Sequence, residues 1–136
     1  MSAAIDQGIY ETLRDDAGVN AIVAGAVYPE QAAEEVTGPY VVYALGESEK
    51  PRSLTGAVLS ERHRYMIGCH HDTYDGAQAL ATAVYEAFGG DQAATRTLGG
   101  TPCIVMWDES PMQKRKLPGQ DQARQAVELD LIVLVK

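Results

Sequence analysis

The chain passes through alternating stretches of helical and extended periodicity. Between Ala3 and Asp15, the residues Ile5, Ile9 and Leu13 recur every fourth position and form one apolar stripe, the spacing of an amphipathic helix. Gly8 weakens this helix, and Asp15 and Asp16 oppose the dipole at its C-terminal end. Asp16 fits better as the N-cap of a second short helix, Ala17–Ala24, which Gly25 ends. A brief extended stretch, Ala26–Pro29, follows, and then Glu30–Glu35 (EQAAEE), a solvated acidic loop.

Tyr40–Glu47 is the first convincing strand, rich in Tyr and Val, with Pro39 suited to its start. A polar stretch leads to a second strand over about Val58–His70, with Tyr65, Ile67 and Cys69 on one face and Arg64, Met66 and His70 on the other. The strongest helix comes next. Asp72 or Thr73 can cap it, and Asp75 lies in its first turn. Ala77, Leu80, Ala81, Val84 and Phe88 make its stripe, and Gly89-Gly90 stop it. After a Gly- and Thr-rich connection come Cys103–Asp108 and Ala123–Val135, a third and a fourth strand. The last has Val127, Leu129, Leu131, Val133 and Val135 on one face. Its other face turns from Glu128 and Asp130 to Ile132 and Leu134, which predicts that one end is covered on both sides. The expectation is an α+β fold of order α-β-β-α-β-β. Two β-hairpins form a four-stranded antiparallel sheet with helices on one face.

Both predicted hairpins have long connections, Ser48–Ala57 and Glu109–Gln122, where about 2–5 residues are usual. Such lengths mark functional or mobile segments. The first contains Arg52 and Leu54; the second contains Lys114, Arg115 and Lys116, a basic knot in an otherwise acidic chain. These five residues are the candidate contacts of arms that reach a neighbouring subunit, with the acidic Glu30–Glu35 of the next copy as a possible acceptor. A solvated loop without partners explains the same segments equally well.

A length of 136 residues is that of a single domain spanning 1–136. Hydrophobic residues at 46% and charged residues at 22% match an ordinary globular chain rather than a disordered one. The longest apolar runs, Tyr40–Leu45 and Leu131–Val135, are far short of the ~18 residues a membrane helix needs. The N-terminus has neither a basic nor an apolar region of signal type. A net charge of −8 argues against a free nucleic-acid-binding module. It does not argue against a ring through which DNA passes without sticking, since an acidic lumen would repel phosphates.

The candidate chemistry is thin. Cys69-His70-His71-Asp72 is the one cluster of metal-capable side chains, but strand neighbours point to opposite faces and no HxxxH or CxxC completes a shell. His63, His70 and His71 are not accompanied by a GxSxG elbow. Cys103 lies in an apolar strand, where burial dulls a thiol. Gly89-Gly90 and Gly99-Gly100 lack a phosphate-binding frame, and Glu34-Glu35 and Asp15-Asp16 read as surface. Tyr85, Met106 and Trp107 could line a pocket, although such residues more often pack a core. No catalytic residue, metal site or cofactor is expected.

Several segments together resemble the phage tail-completion, or tail-terminator, family: AGAVYP at Ala24–Pro29, GPYVVY at Gly38–Tyr43, RYMIGCHHDTYDGAQALATAV at Arg64–Val84 and ELDLIVLV at Glu128–Val135. His70 departs from the aromatic, often Trp, that follows the Cys in that family. The resemblance implies a non-enzymatic virion subunit, made in the host cytoplasm and located at the head-proximal end of the tail. There it forms a ring, typically a hexamer, that caps the tail tube and joins the head–tail connector. Its partners would be copies of itself, tail tube protein and connector protein. A neck connector of the same particle, or a small metal- or ligand-binding domain, remains the alternative.

Overall fold

A computed structural model describes residues 3–29, 38–49, 61–90, 92–108, 113–116 and 125–135. The Ile5, Ile9, Leu13 stripe forms the buried face of helix α1, Ala3–Asp15. Helix α2, Ala17–Val23, starts where Asp16 accepts a hydrogen bond from the Val19 N–H at 3.0 Å, and it ends at Ala24 in the left-handed region, φ 50°. Helix α3, Tyr74–Ala87, buries Ala77, Leu80, Ala81, Val84 and Ala87.

Of the two candidate caps of α3, Thr73 is the one used: its side chain accepts from the Gly76 N–H at 3.0 Å. Thr73→Ala should lower stability by about 1 kcal/mol, the usual worth of such a cap, measured by urea unfolding. Past the other end of α3, Gly89 and Gly90 take φ of 104° and 66°, the left-handed stop that the sequence anticipated.

The strands are β1 Val27–Pro29, β2 Tyr40–Glu49, β3 Glu61–His71, β4 Ala94–Leu98, β5 Thr101–Trp107, β6 Gln113–Lys116 and β7 Gln125–Val135. They form one sheet of order β1-β2-β3-β7-β5-β4, with β6 paired to β7. Both predicted hairpin pairs are present, β2 with β3 and β5 with β7, joined in the middle by β3 and β7. The fold is α+β, but the sheet is larger than four strands. The extended stretch after α2 pairs in parallel with β2, so the sheet is mixed. Part of the Gly- and Thr-rich connection forms β4, antiparallel to β5. Its sequence, ATRTL, buries only Leu98, so it carries little apolar signal.

Val41, Tyr43, Tyr65, Ile67, Cys69, Val127, Leu129, Leu131 and Val133 cluster with the buried stripes of the helices. Helix and sheet are tied at two specific points. Tyr65 donates from its hydroxyl to the Asp6 carboxylate on α1, and burial together with that carboxylate pushes the phenol's pKa up, keeping its proton in place. Trp107 stacks on Tyr85 with centroids 5.6 Å apart, meets Phe88 edge-on and donates from Nε1 to the Tyr85 carbonyl at 2.9 Å. Trp107 and Tyr85 therefore belong to the α3–β5 packing.

Candidate assembly surface

Strand β7 is the longer partner of β5, and the surplus positions the basic knot. From Cys103 opposite Val135 to Trp107 opposite Leu131 the ladder is regular, and the Asp108 N–H continues it to the Asp130 carbonyl at 3.0 Å. Pairing resumes with Gln113 opposite Glu128 and runs to Lys116 opposite Gln125. Lys114, Arg115 and Lys116 lie on a strand, β6, and not in an open loop as the sequence suggested. The cause is the unused backbone of Gln125–Glu128, which requires partners wherever it is not solvated. The run QKRK has no apolar alternation that would announce a strand. Arg52 and Leu54, the other predicted contacts, lie outside the described residues, as does Glu30–Glu35.

The face of the sheet opposite the core cluster carries features that sequence reading missed. Arg64 on β3 donates from Nη1 to Asp108 at 2.6 Å and to Asp130 at 3.2 Å. All three are about one-third exposed, and hydrogen bonding to Asp108 raises the Arg64 pKa. One row across the strands reads Tyr40, His70, Ala126, Arg115 in register. Tyr40 and His70 stack at 4.4 Å, and Tyr28 meets Tyr40 edge-on. Ile132, flanked in register by Arg64 and Met106, is buried, and Leu134 is half-buried. The apolar end of β7 is accordingly sheltered on its second face too.

The Cys69–Asp72 cluster does not converge. Cys69 is fully buried in the core, with its thiol pKa pushed up by desolvation. His70 stacks on Tyr40, while His71 accepts from the Thr73 N–H at 3.2 Å. Among the described residues, no group of three His, Cys, Asp or Glu is placed to hold a metal. Cys103 is buried and its thiol is likewise pushed up.

A serine, a histidine and a carboxylate do meet elsewhere. Ser48 Oγ lies 2.8 Å from His63 Nδ1, with Glu61 3.6 Å from Nε2. The 3.6 Å contact is too long to orient the ring as an acid partner must. Ser48 stands directly opposite His63 in register, so its hydroxyl serves as the hydrogen-bond partner that a buried imidazole requires.

One surface cleft, of about 310 Å³, is lined by Glu11, Asp15, Asp16 and Arg96 among others. Its charges are largely engaged, Asp15 on Arg14 and Asp16 on the α2 cap. A second cleft, of about 250 Å³, lies among Thr95, Pro102, Ile104 and Leu134 and has no charged group. No helix among the described residues is long and apolar enough to cross a membrane.

A mixed sheet with no assembled reactive centre among the described residues is the setting for the comparisons with known proteins. The model of the tail completion protein gp17 family matches residues 7–132. The chain belongs to this family. Membership places it among the structural proteins of phage tails. Among solved structures it is similar to a chain of the virion of a native gene transfer agent particle, with 25% identity, 98% of each chain covered and a TM-score of 0.69. A comparison with curated proteins gave no match. The family's strand and helix segments at Arg64–Val84 correspond to β3 and α3, and its closing run at Glu128–Val135 to β7.

Proposed function

We propose that this tail completion protein acts as a single domain that closes into a ring, a hexamer, capping the tail tube at its head-proximal end and joining it to the head–tail connector. Family membership over residues 7–132 carries the reading, and the similarity to a chain of the gene transfer agent virion supports a place in the particle. A rigid sheet with a basic arm suits a head-to-tail contact between identical copies, which closes on itself when the rotation between copies allows it. Lys114, Arg115 and Lys116 on β6 make that contact with an acidic surface of the next copy, and Arg52 and Leu54 contribute from the first connection. The net charge of −8 lets DNA pass through the ring as cargo. The work is structural, with no catalytic step and no cofactor, and assembly takes place in the host cytoplasm.

The test is to add the purified protein to polymerised tail tube protein and image the tubes in negative stain. Rings seated on one end of each tube, with elongation halted, are the expected result. Binding to the connector ring in place of the tube would instead make it a neck component.

A further inference from the structure

The uncharged cleft lies on the sheet face opposite the core cluster, where Thr95, Ile104, Leu134 and Arg62 stand in register across four strands. Its volume of about 250 Å³ falls below the roughly 300–1,000 Å³ of small-molecule sites. It is the size for one large side chain. Pro102, Ile104 and Leu134 make it mostly apolar, and Thr95 and Thr101 add two hydroxyls. That chemistry suits an aromatic ring with a polar tip, which needs a hydrogen-bond partner once buried. Among the described residues, two large hydrophobic side chains are exposed, Met66 at 41% and Tyr74 at 44%. Of the two, Tyr74 has the polar tip.

We propose that the cleft receives Tyr74 of the neighbouring copy, a knob in a hole that links subunits head to tail. The inference rests on the ring reading and adds to it a contact that does not involve β6. A chain's own Tyr74 cannot fill its own cleft. Leu134 stands opposite Arg62 near the start of β3, whereas Tyr74 opens α3 beyond the end of that strand. From Arg62 to His71 the strand spans about 30 Å at roughly 3.3 Å per residue.

A knob at one end of the molecule and a hole at the other make a heterologous contact, which closes into a ring when the rotation between copies allows it. The charges agree. Asp72 and Asp75, both exposed, flank Tyr74, and the exposed Arg62 stands beside Leu134 at the cleft. A Tyr seated in a desolvated pocket is also where interface energy concentrates.

The test uses the full chain, alone and on polymerised tail tube protein. Asp75→Cys copies are mixed with Thr97→Cys copies and treated with a short bis-maleimide, so a link between positions 75 and 97 must join two chains. Cys69 and Cys103 are buried and stay unlabelled. Mass spectrometry should find the 75–97 link. In mass photometry, Tyr74→Ala and Thr95→Arg should each weaken association roughly tenfold or more, the scale of a hot spot. Both positions are exposed, so thermal melts should be unchanged. Tyr74→Phe should keep most of the association. The double variant Tyr74→Ala/Thr95→Arg should lose little more than either alone, because both break one contact.

Rings without the 75–97 link overturn the knob and leave the ring reading intact, as do Tyr74→Ala rings as stable as those of the natural chain. Linked pairs that stop at two copies keep the knob and remove the ring. A natural chain that stays monomeric both alone and on tubes removes both.

Discussion

Replacing Lys114, Arg115 and Lys116 together by Glu is expected to abolish self-assembly while leaving the monomer folded. Each replacement exchanges a positive for a negative charge, so three of them shift the formal charge by six, from −8 to −14. β6 is held to β7 through backbone pairing at these positions, so changing the side chains leaves the ladder's hydrogen-bond groups in place. Glu is a poor strand residue, and the expected loss of monomer stability is about 1 kcal/mol. At a subunit contact the effect is far larger. Close charge pairs across an interface couple by about 1.5 kcal/mol or more each, and reversal turns attraction into repulsion, so association should weaken at least about 100-fold.

A triple-Gln variant separates the two contributions. It removes attraction without adding repulsion, and its residual assembly should depend less on salt than that of the natural chain. Mass photometry across a salt series reads both effects, and a thermal melt confirms the fold. Rings that form normally from the triple-Glu chain would show that the basic arm is not the glue.

How far the sequence disclosed this fold depended on whether an element carries its own apolar signature. α1 begins and ends where the Ile5, Ile9, Leu13 stripe says it should, and α3 follows Ala77, Leu80, Ala81 and Val84. β3 and β7 are equally plain, since each places every second residue in the core. β4 and β6 were missed because ATRTL and QKRK owe their strand state to neighbours with backbone to pair, a tertiary cause. β1 was visible as an extended piece, but its parallel pairing to β2 depends on how α2 returns the chain.

The candidate site divides in the same way. The basic knot stood out by charge alone. The Arg64 triad did not, because Arg64, Asp108 and Asp130 are 44 and 66 residues apart in the chain and only the register of three strands unites them. Ser48 and His63 face each other for the same reason.

Glycines show the gap most clearly, and they lead to the second large effect. Read as sequence, Gly8 is a weak point in α1, and Gly99-Gly100 is a pair without a motif. In the fold, α1 is pressed onto the β4–β5 turn. A Cβ on Gly8 would stand 2.5 Å from the Leu98 Cα, and one on Gly99 would stand 1.9 Å from the Ala4 carbonyl oxygen. Gly99 also has φ 58°. Gly99→Ala must therefore either push α1 off the turn or distort the turn itself. Overpacking of this kind adds about 1–3 kcal/mol to the roughly 1–2 kcal/mol of a left-handed alanine. The expected total is about 3 kcal/mol, a fall in melting temperature of roughly 10 °C for a chain of this size.

Gly100 provides the control. Its φ is 84°, but nothing lies within 4 Å of a Cβ placed there. Gly100→Ala should therefore show the backbone part alone, about 1–2 kcal/mol. The difference between the two variants in urea unfolding isolates the contact between α1 and the turn. Equal losses would mean that α1 can move away from the β4 edge without penalty. Ile5 and Ile9, whose side chains are fully buried beside it, would then owe their burial to the rest of the core and not to this close approach.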